Sequence, residues 1–151
     1  MKRFILTLAL AGLLVPALAV AAATPAGPII VMGDAVKWVP GTGDLKGAHI
    51  AMLAGDFEKA GSLYAARIKL PDGFKFPPHS HGLAEQVTVM SGTFLVGLGD
   101  KVDAAKMKPL GPGSFVDVPA KIEHYAMAKG ETVLELHGIG PMTMEMPKGK
   151  M

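Results

Sequence analysis

The sequence predicts an all-β protein with a single domain, made of short strands that are joined by tight turns. Glycine (19 residues) and proline (12 residues) are abundant in this chain of 151 residues, and they fall between short apolar runs. That spacing is typical of many strands and few helices, and it favours a sandwich or a barrel. Only residues 103–108 are predicted to form a helical turn. The length alone is that of one domain.

The N-terminal part of the folded chain is predicted to be peripheral. Residues 24–28 are expected to be a linker, and the short apolar runs 29–32 and 36–39 are expected to be strands. We assign residues 24–47 to this linker with its edge strands, and residues 48–146 to the barrel itself.

The barrel strands follow from alternation of apolar and polar residues. The run 63–70 is the clearest, since Tyr64, Ala66, Ile68 and Leu70 share one face and the basic residues take the other, as expected of a half-buried strand. Two strands are expected to flank a hairpin turn at Ser91-Gly92. The full set of predicted barrel strands is 48–54, 63–70, 85–90, 93–98, 115–118, 125–128 and 132–137.

The first 23 residues are expected to be a secretory signal peptide. Lys2 and Arg3 form a basic start, residues 4–15 an apolar core, and residues 19–23 offer a cleavage site of small residues, which is the layout of such signals. The protein is therefore expected in the periplasm or outside the cell. An uncleaved membrane anchor is the competing interpretation, and Pro16 with the weakly apolar alanines after it argues against a stable span.

Charge and cysteine content exclude several classes of function. The net charge is +2, and Lys2 and Arg3 account for both units, so the expected mature domain is nearly neutral. It has no basic run, which argues against a nucleic-acid partner, and no membrane association is expected after cleavage. There is no cysteine, which excludes disulfides, thiolate metal ligands and cysteine nucleophiles.

A cluster of metal-binding residue types lies in the stretch 73–92. His79 and His81 stand two apart, so in an extended chain both side chains point to one face. Gly82 permits a sharp turn, after which Glu85 can face the same point, and His124 is a further candidate ligand. Imidazole and carboxylate suit a divalent Zn, Fe, Ni, Cu or Mn ion. The alternative is a group of hydrogen-bonded histidines without a metal.

This stretch resembles the cupin family. The first cupin motif is Gly, five residues, His-x-His, three or four residues, Glu, six residues, Gly, and the chain matches it from Gly73 to Gly92. The second motif is matched at Gly113, Pro119 and His124, whereas Lys121 replaces its glycine and Ala128 its asparagine. A closer likeness to small exported bacterial cupins rests on 70–73 (Leu-Pro-x-Gly) and 137–141 (His-Gly-x-Gly-Pro).

The resemblance implies a double-stranded β-helix, or jelly-roll barrel, with one divalent metal ion per chain on His79, His81, Glu85 and His124. It also implies a homodimer, since cupins commonly dimerise. Three functions follow from it: a metal-dependent enzyme of the dioxygenase type acting on a small molecule, with Glu85 as ligand and catalytic base; a non-catalytic module that binds or senses a small molecule or metal; or a metal-dependent isomerase or lyase. Fold alone does not decide between them.

Three further features carry weaker predictions. Met142, Met144 and Met146 alternate with polar residues; thioethers can bind Cu(I), but the apolar face of a terminal strand is the favoured interpretation. His137 is either a hydrogen-bonded structural residue or a group beside the cavity. Trp38 is expected to anchor the N-terminal strand by packing.

Overall fold

The computed structural model describes residues 27–147, so the signal peptide predicted over residues 1–23 lies outside the described residues. No helix within the described range is long and apolar enough to span a membrane. Three single turns of 3₁₀ helix occur, at Gly33–Ala35, Gly43–Leu45 and Ala104–Lys106, and the eight strands are β1 (Val39–Pro40), β2 (His49–Ala54), β3 (Leu63–Leu70), β4 (Lys75–His79), β5 (Glu85–Leu98), β6 (Lys108–Leu110), β7 (Phe115–Val118) and β8 (His124–Ile139).

The two long strands β5 and β8 lie at the centre of the barrel. They pair with each other along most of their length in antiparallel register. The C-terminal half of β8 also pairs with β3, and its N-terminal half pairs with β4. Strand β5 pairs in the same divided way with β7 and β6. One half of each long strand therefore lies in a layer with β3 and β7, and the other half lies in a layer with β4 and β6. The result is the jelly-roll barrel that the sequence predicts.

The core lies between the two layers and follows the predicted alternation. Strand β3 buries Tyr64, Ala66, Ile68 and Leu70, and turns the residues between them outward. These meet inward-facing residues of β5 and β8, namely Val87, Val89, Phe94, Ala126, Ala128, Leu134 and Leu136. The buried apolar surface of these strands is the main stabilising contribution to the fold.

The turn predicted at Ser91-Gly92 is instead a bend inside a long strand, so the predicted strands 85–90 and 93–98 are both part of β5, and the predicted strands 125–128 and 132–137 are likewise both part of β8. The register between β5 and β8 shifts around Ser91, as at a β-bulge. Gly92 takes a φ of 77°, and a Cβ there would collide with the backbone of Glu131. Glycine is required at this bend, and Ser91-Gly92 gives the same local signal in the sequence as a hairpin turn does.

Other elements also differ from the prediction. Residues 29–32 and 36–38 form no strand, and only Val39–Pro40 pairs, at the edge beside β2. The apolar side chains of 29–32 stay exposed, Ile30 to 79%, because nothing in the described part of the chain packs on them. Strands β4 and β6 were not predicted because they contain proline, which is tolerated in strands that pair on one side only.

Candidate metal centre

Three histidines meet at one end of the barrel. His79 is the last residue of β4 and His124 the first of β8, and the two are direct partners across the strands. His81 follows two residues after His79. All three side chains are buried, and each offers a ring nitrogen within 4.8 Å of the others. The structure therefore brings together the three histidines that the sequence singled out, and they could hold a metal ion.

Each of the three rings is fixed by a hydrogen bond to a backbone carbonyl. His79 Nδ1 lies 2.7 Å from Pro77 O, and His124 Nδ1 lies 3.0 Å from Ile122 O. His81 Nδ1 lies 2.7 Å from Thr143 O. A carbonyl oxygen only accepts, so each Nδ1 carries the proton and donates it, which leaves the Nε2 lone pair for a ligand. This arrangement is usual for histidines that bind metals.

Glu85 stands beside the triad and contacts His81. It is the first residue of β5, it is buried, and its Oε2 lies 3.4 Å from His81 Nε2. The contact lacks hydrogen-bond geometry, and His81 Nε2 has no hydrogen-bond partner although it is fully buried. An unpartnered buried nitrogen costs about 1–3 kcal/mol. A metal ion at this point would remove that cost, so the donor set fits a divalent transition metal.

The surroundings keep two of the histidines neutral. Burial lowers the pKa of His79 to about 4, and burial also lowers the pKa of His124. Burial acts in the same direction on His81, but the Glu85 carboxylate outweighs it, so the pKa of His81 is raised above its ordinary value. His79 and His124 are therefore neutral and able to bind a metal ion at neutral pH. His81 is the residue at which a proton competes with the metal ion for the ring nitrogen.

We expect the affinity for a divalent ion to decrease in a single main step as the pH is lowered. Because the pKa of His81 is raised above 6.5, the loss begins near neutral pH and reaches about tenfold per pH unit below that point, one proton being displaced by each ion. His79, with a pKa of about 4, adds to the loss only in strong acid. Titration calorimetry with Zn(II) in buffers of different ionisation enthalpy measures both the slope and the number of protons released. An affinity that does not change between pH 8 and pH 6 would contradict this order of protonation.

The histidines open into a small apolar cavity of about 70 Å³. Ala126 lies two residues beyond His124 on the same strand face, and it leaves room there, as its small side chain predicts. Of the described residues that line the cavity, only the three histidines and Glu85 are polar, and the rest are Leu45, Ile68, Phe76, Val87, Phe94, Val96, Val116, Val118, Ala126, Leu134, Leu136, Met142 and Met144.

The C-terminal segment is part of the site, which the sequence did not predict. Met142 and Met144 line the cavity. The expected terminal strand is absent, since this segment makes only one isolated bridge, between Ser80 and Glu145. The alternation of methionines signalled an apolar face, but nothing in the sequence indicated that the carbonyl of Thr143 would hold His81.

The remaining candidates do not line the cavity. His137 is 3.5 Å from Glu135 on the outer surface. Burial and the nearby Glu85 raise the pKa of Tyr64 to about 12, so this phenol stays protonated at neutral pH. Tyr125 donates its hydroxyl hydrogen bond to Asp103 O, on the other side of its strand. Among the described residues, Glu85 is thus the only proton acceptor besides the triad that lines the cavity.

Trp38 is half-buried and has the Lys69 ammonium 4.8 Å above its ring. This contact ties the N-terminal segment to β3, in agreement with the predicted anchoring role.

The fold and the histidine cluster are those of a cupin. The family model described as the ChrR cupin-like domain matches residues 26–143, and the chain belongs to this family. No curated protein matches the chain significantly in sequence.

Solved structures with the same fold span several activities. A candidate acetylacetone dioxygenase from Methylibium petroleiphilum PM1 superposes with a TM-score of 0.66 at 18% identity, covering 85% of this chain and 88% of that one. An RmlC-like cupin from Shewanella frigidimarina gives 0.57 at 23% identity, over 75% and 91%. The anti-sigma factor ChrR of Rhodobacter sphaeroides, in complex with SigE, gives 0.51 at 20% identity, over 71% and 50%. At these identities the likeness establishes the fold alone.

Proposed function

We propose that this protein binds one divalent transition metal ion on His79, His81 and His124, with Glu85 as a further ligand, and uses it in an oxygenase-type reaction on a small molecule. One observation carries the proposal: three buried imidazoles, each with its Nδ1 proton held by a carbonyl, turn their free nitrogens to one point at the end of an apolar cavity. A likeness in fold to a candidate acetylacetone dioxygenase agrees with it.

The cavity restricts the substrate to a small, largely apolar molecule. About 70 Å³ enclosed by aliphatic and aromatic side chains leaves no polar partner, among the residues that the structure describes, except the three histidines and Glu85. The substrate would therefore present its oxygen atoms to the metal end and its carbon skeleton to the apolar wall. A diketone, a phenol or an enol of a few carbon atoms satisfies both conditions.

The side chains divide the chemical work. A divalent ion held by the histidines would supply Lewis-acid or redox chemistry. The apolar wall excludes water and strengthens the electrostatic interactions inside. Glu85 Oε2, 3.4 Å from His81 Nε2, is the atom placed to accept a proton from an acidic C–H or O–H group of the substrate.

The second candidate is a binding or sensing module without turnover. It is favoured by the absence, among the described residues lining the cavity, of any acid or base other than Glu85 and the triad. Membership of a family described by the ChrR domain agrees with it as well. In such a module the same metal and cavity would capture a small ligand, and the surface of the barrel would change when the ligand is bound.

Oxygen uptake separates the two candidates. The protein is loaded anaerobically with Fe(II), Mn(II), Ni(II) or Zn(II), and small diketones and phenolic enols are added with air. Oxygen consumption with formation of product in step supports the enzyme. Saturable ligand binding without oxygen consumption or conversion with any of these metals rejects it and favours the binding module.

Replacing Met142, Met144 and Met146 with leucine should preserve folding and divalent-metal content. Leucine and methionine differ little in volume, so the apolar wall is kept and each substitution costs less than about 1.5 kcal/mol. Thermal unfolding and elemental analysis of the triple variant measure both. A selective loss of Cu(I) binding in this variant would instead assign the thioethers a role as ligands for a soft metal.

We also propose that the protein is exported and cleaved after about residue 23. The basic, apolar and small-residue segments of the N-terminus support this. The intact mass of protein from the periplasmic or secreted fraction should lack residues 1–19 at least. Finding Met1 to Ala19 still attached in that fraction would favour a membrane anchor.

We also propose that the protein forms a homodimer. Its support is the exposed apolar run Ile29–Met32, in which every side chain is at least 41% exposed. A second copy of the chain would cover this run and the adjoining edge strand β1.

A further inference from the structure

The C-terminal strap, which comprises residues 141–146, runs alongside the second histidine of the motif. Ser80 and Glu145 exchange two backbone hydrogen bonds of 2.9 and 2.8 Å. Gly82 N donates to Thr143 Oγ1 at 2.9 Å, and His81 Nδ1 donates to Thr143 O at 2.7 Å. The strap therefore supplies the atom that orients His81.

This dependence distinguishes His81 from its two neighbours in the triad. His79 and His124 donate to carbonyls two residues before them in the chain, at Pro77 and Ile122, so their rings are fixed locally. His81 donates to a carbonyl 62 residues away. The hydrogen bond that fixes its ring is therefore lost if the strap undocks.

Lys121 links the strap to the loop before β8. Its Nζ lies 2.6 Å from Glu145 Oε1, and its backbone N–H donates to His81 O at 2.9 Å. Its φ is 65°, and it is the only non-glycine residue with a positive φ in the described range 27–147. Glycine adopts this conformation freely, whereas a residue with a Cβ does not. Lysine thus occupies a glycine-type position, and its side chain reaches a partner that glycine would lack.

We propose that Lys121 is a positioning residue of the metal centre: its ammonium group clasps Glu145, keeps the C-terminal strap docked on His81, and so slows the release of the bound metal ion. The proposal rests on the metal binding proposed above. The two side chains are 62% and 47% exposed, so the clasp contributes only as much as a surface ion pair. We therefore expect a change of roughly twofold to fivefold in the release rate.

The test compares Co(II) release from the wild-type chain and four variants after addition of excess EDTA, followed by the visible absorption of the bound ion. Lys121→Gly removes the clasp, Glu145→Gln removes the negative charge of its carboxylate, and Lys121→Arg keeps both. Lys106→Met is the matched control, since it breaks the exposed 3.3 Å pair with Asp103, far along the chain from the strap. Thermal unfolding of each apoprotein and hydrogen exchange at the Gly82 and Glu145 amides are measured in parallel.

The expected result is faster release from Lys121→Gly and Glu145→Gln, and wild-type release from Lys121→Arg and Lys106→Met. The apoprotein of Lys121→Gly should be no less stable than the wild type, because glycine relieves the positive φ, while the amides of Gly82 and Glu145 exchange faster. A purely structural role would lower stability and leave release unchanged, and that result overturns the proposal. If the wild type binds no Co(II), the proposed function fails and the role of Lys121 in metal retention fails with it; the exchange data then show separately whether the clasp holds the strap.

Discussion

Replacing His79 with alanine is expected to lower the affinity for a divalent metal ion by at least about a hundredfold while the β-barrel stays folded. His79 supplies one of three imidazole nitrogens that lie within 4.8 Å of one another, and loss of even an outer partner of a metal ligand costs tenfold to a hundredfold. The fold should survive because the core lies mainly between β3, β5 and β8. His81→Ala and His124→Ala should behave alike, and calorimetric titration with Zn(II) measures the effect.

His137→Ala is the matched control for these variants. It removes a histidine from the same protein, but from the outer surface beside Glu135, so the affinity for Zn(II) should not change. Full metal occupancy in His79→Ala or His81→Ala, with circular dichroism like that of the wild type, would show that the ligands have been assigned wrongly.

Glu85→Gln is expected to reduce turnover by about a hundredfold to ten-thousandfold, and metal affinity far less. Glutamine keeps the size of the side chain and one oxygen donor, but it removes the charge and the proton-accepting carboxylate. A positioned general base contributes a factor of this order to the transition state, whereas the three histidines still hold the ion. Because the Glu85 carboxylate contributes most to raising the pKa of His81, the same change should also move the loss of metal binding to lower pH.

Comparing the loss of kcat with the loss of metal affinity in Glu85→Gln shows whether Glu85 acts as a base or only as a ligand. Glu131→Gln, a change at an exposed position of the bend in β8, serves as the control and should leave both quantities unchanged. Equal losses of kcat and of metal occupancy in Glu85→Gln would make Glu85 a ligand alone. An unchanged kcat would remove it from the reaction altogether.

The sequence was most informative where residues of one type recur at a fixed interval. The alternation of 63–70 predicted β3 to the residue, and the two-residue spacing of His79 and His81 predicted that these two side chains share a face, whereas His124 was indicated by the second cupin motif. Both patterns are local consequences of the two-residue repeat of a strand. The cupin motif then predicted the barrel that the structure and the family comparison confirm.

The sequence was least informative where the outcome depends on distant contacts. Gly92 gives the same local signal in a hairpin turn and in a bulge, and only pairing with β8 makes it a bulge. The prolines at 77, 78 and 109 prevented the prediction of strands β4 and β6 from the sequence. Both strands tolerate proline because they are edge strands. The hydrogen bond from His81 to Thr143 joins residues 62 apart, and no periodicity encodes such a contact.

The most direct test of the central claim is the metal content of the wild-type protein isolated from the compartment where it resides. Elemental analysis should find about one divalent transition metal ion per chain, and the His79→Ala variant prepared in the same way should have lost it. A wild-type protein that carries no metal as isolated, and that takes up none from Fe(II), Mn(II), Ni(II), Cu(II) or Zn(II) at neutral pH, would contradict the account.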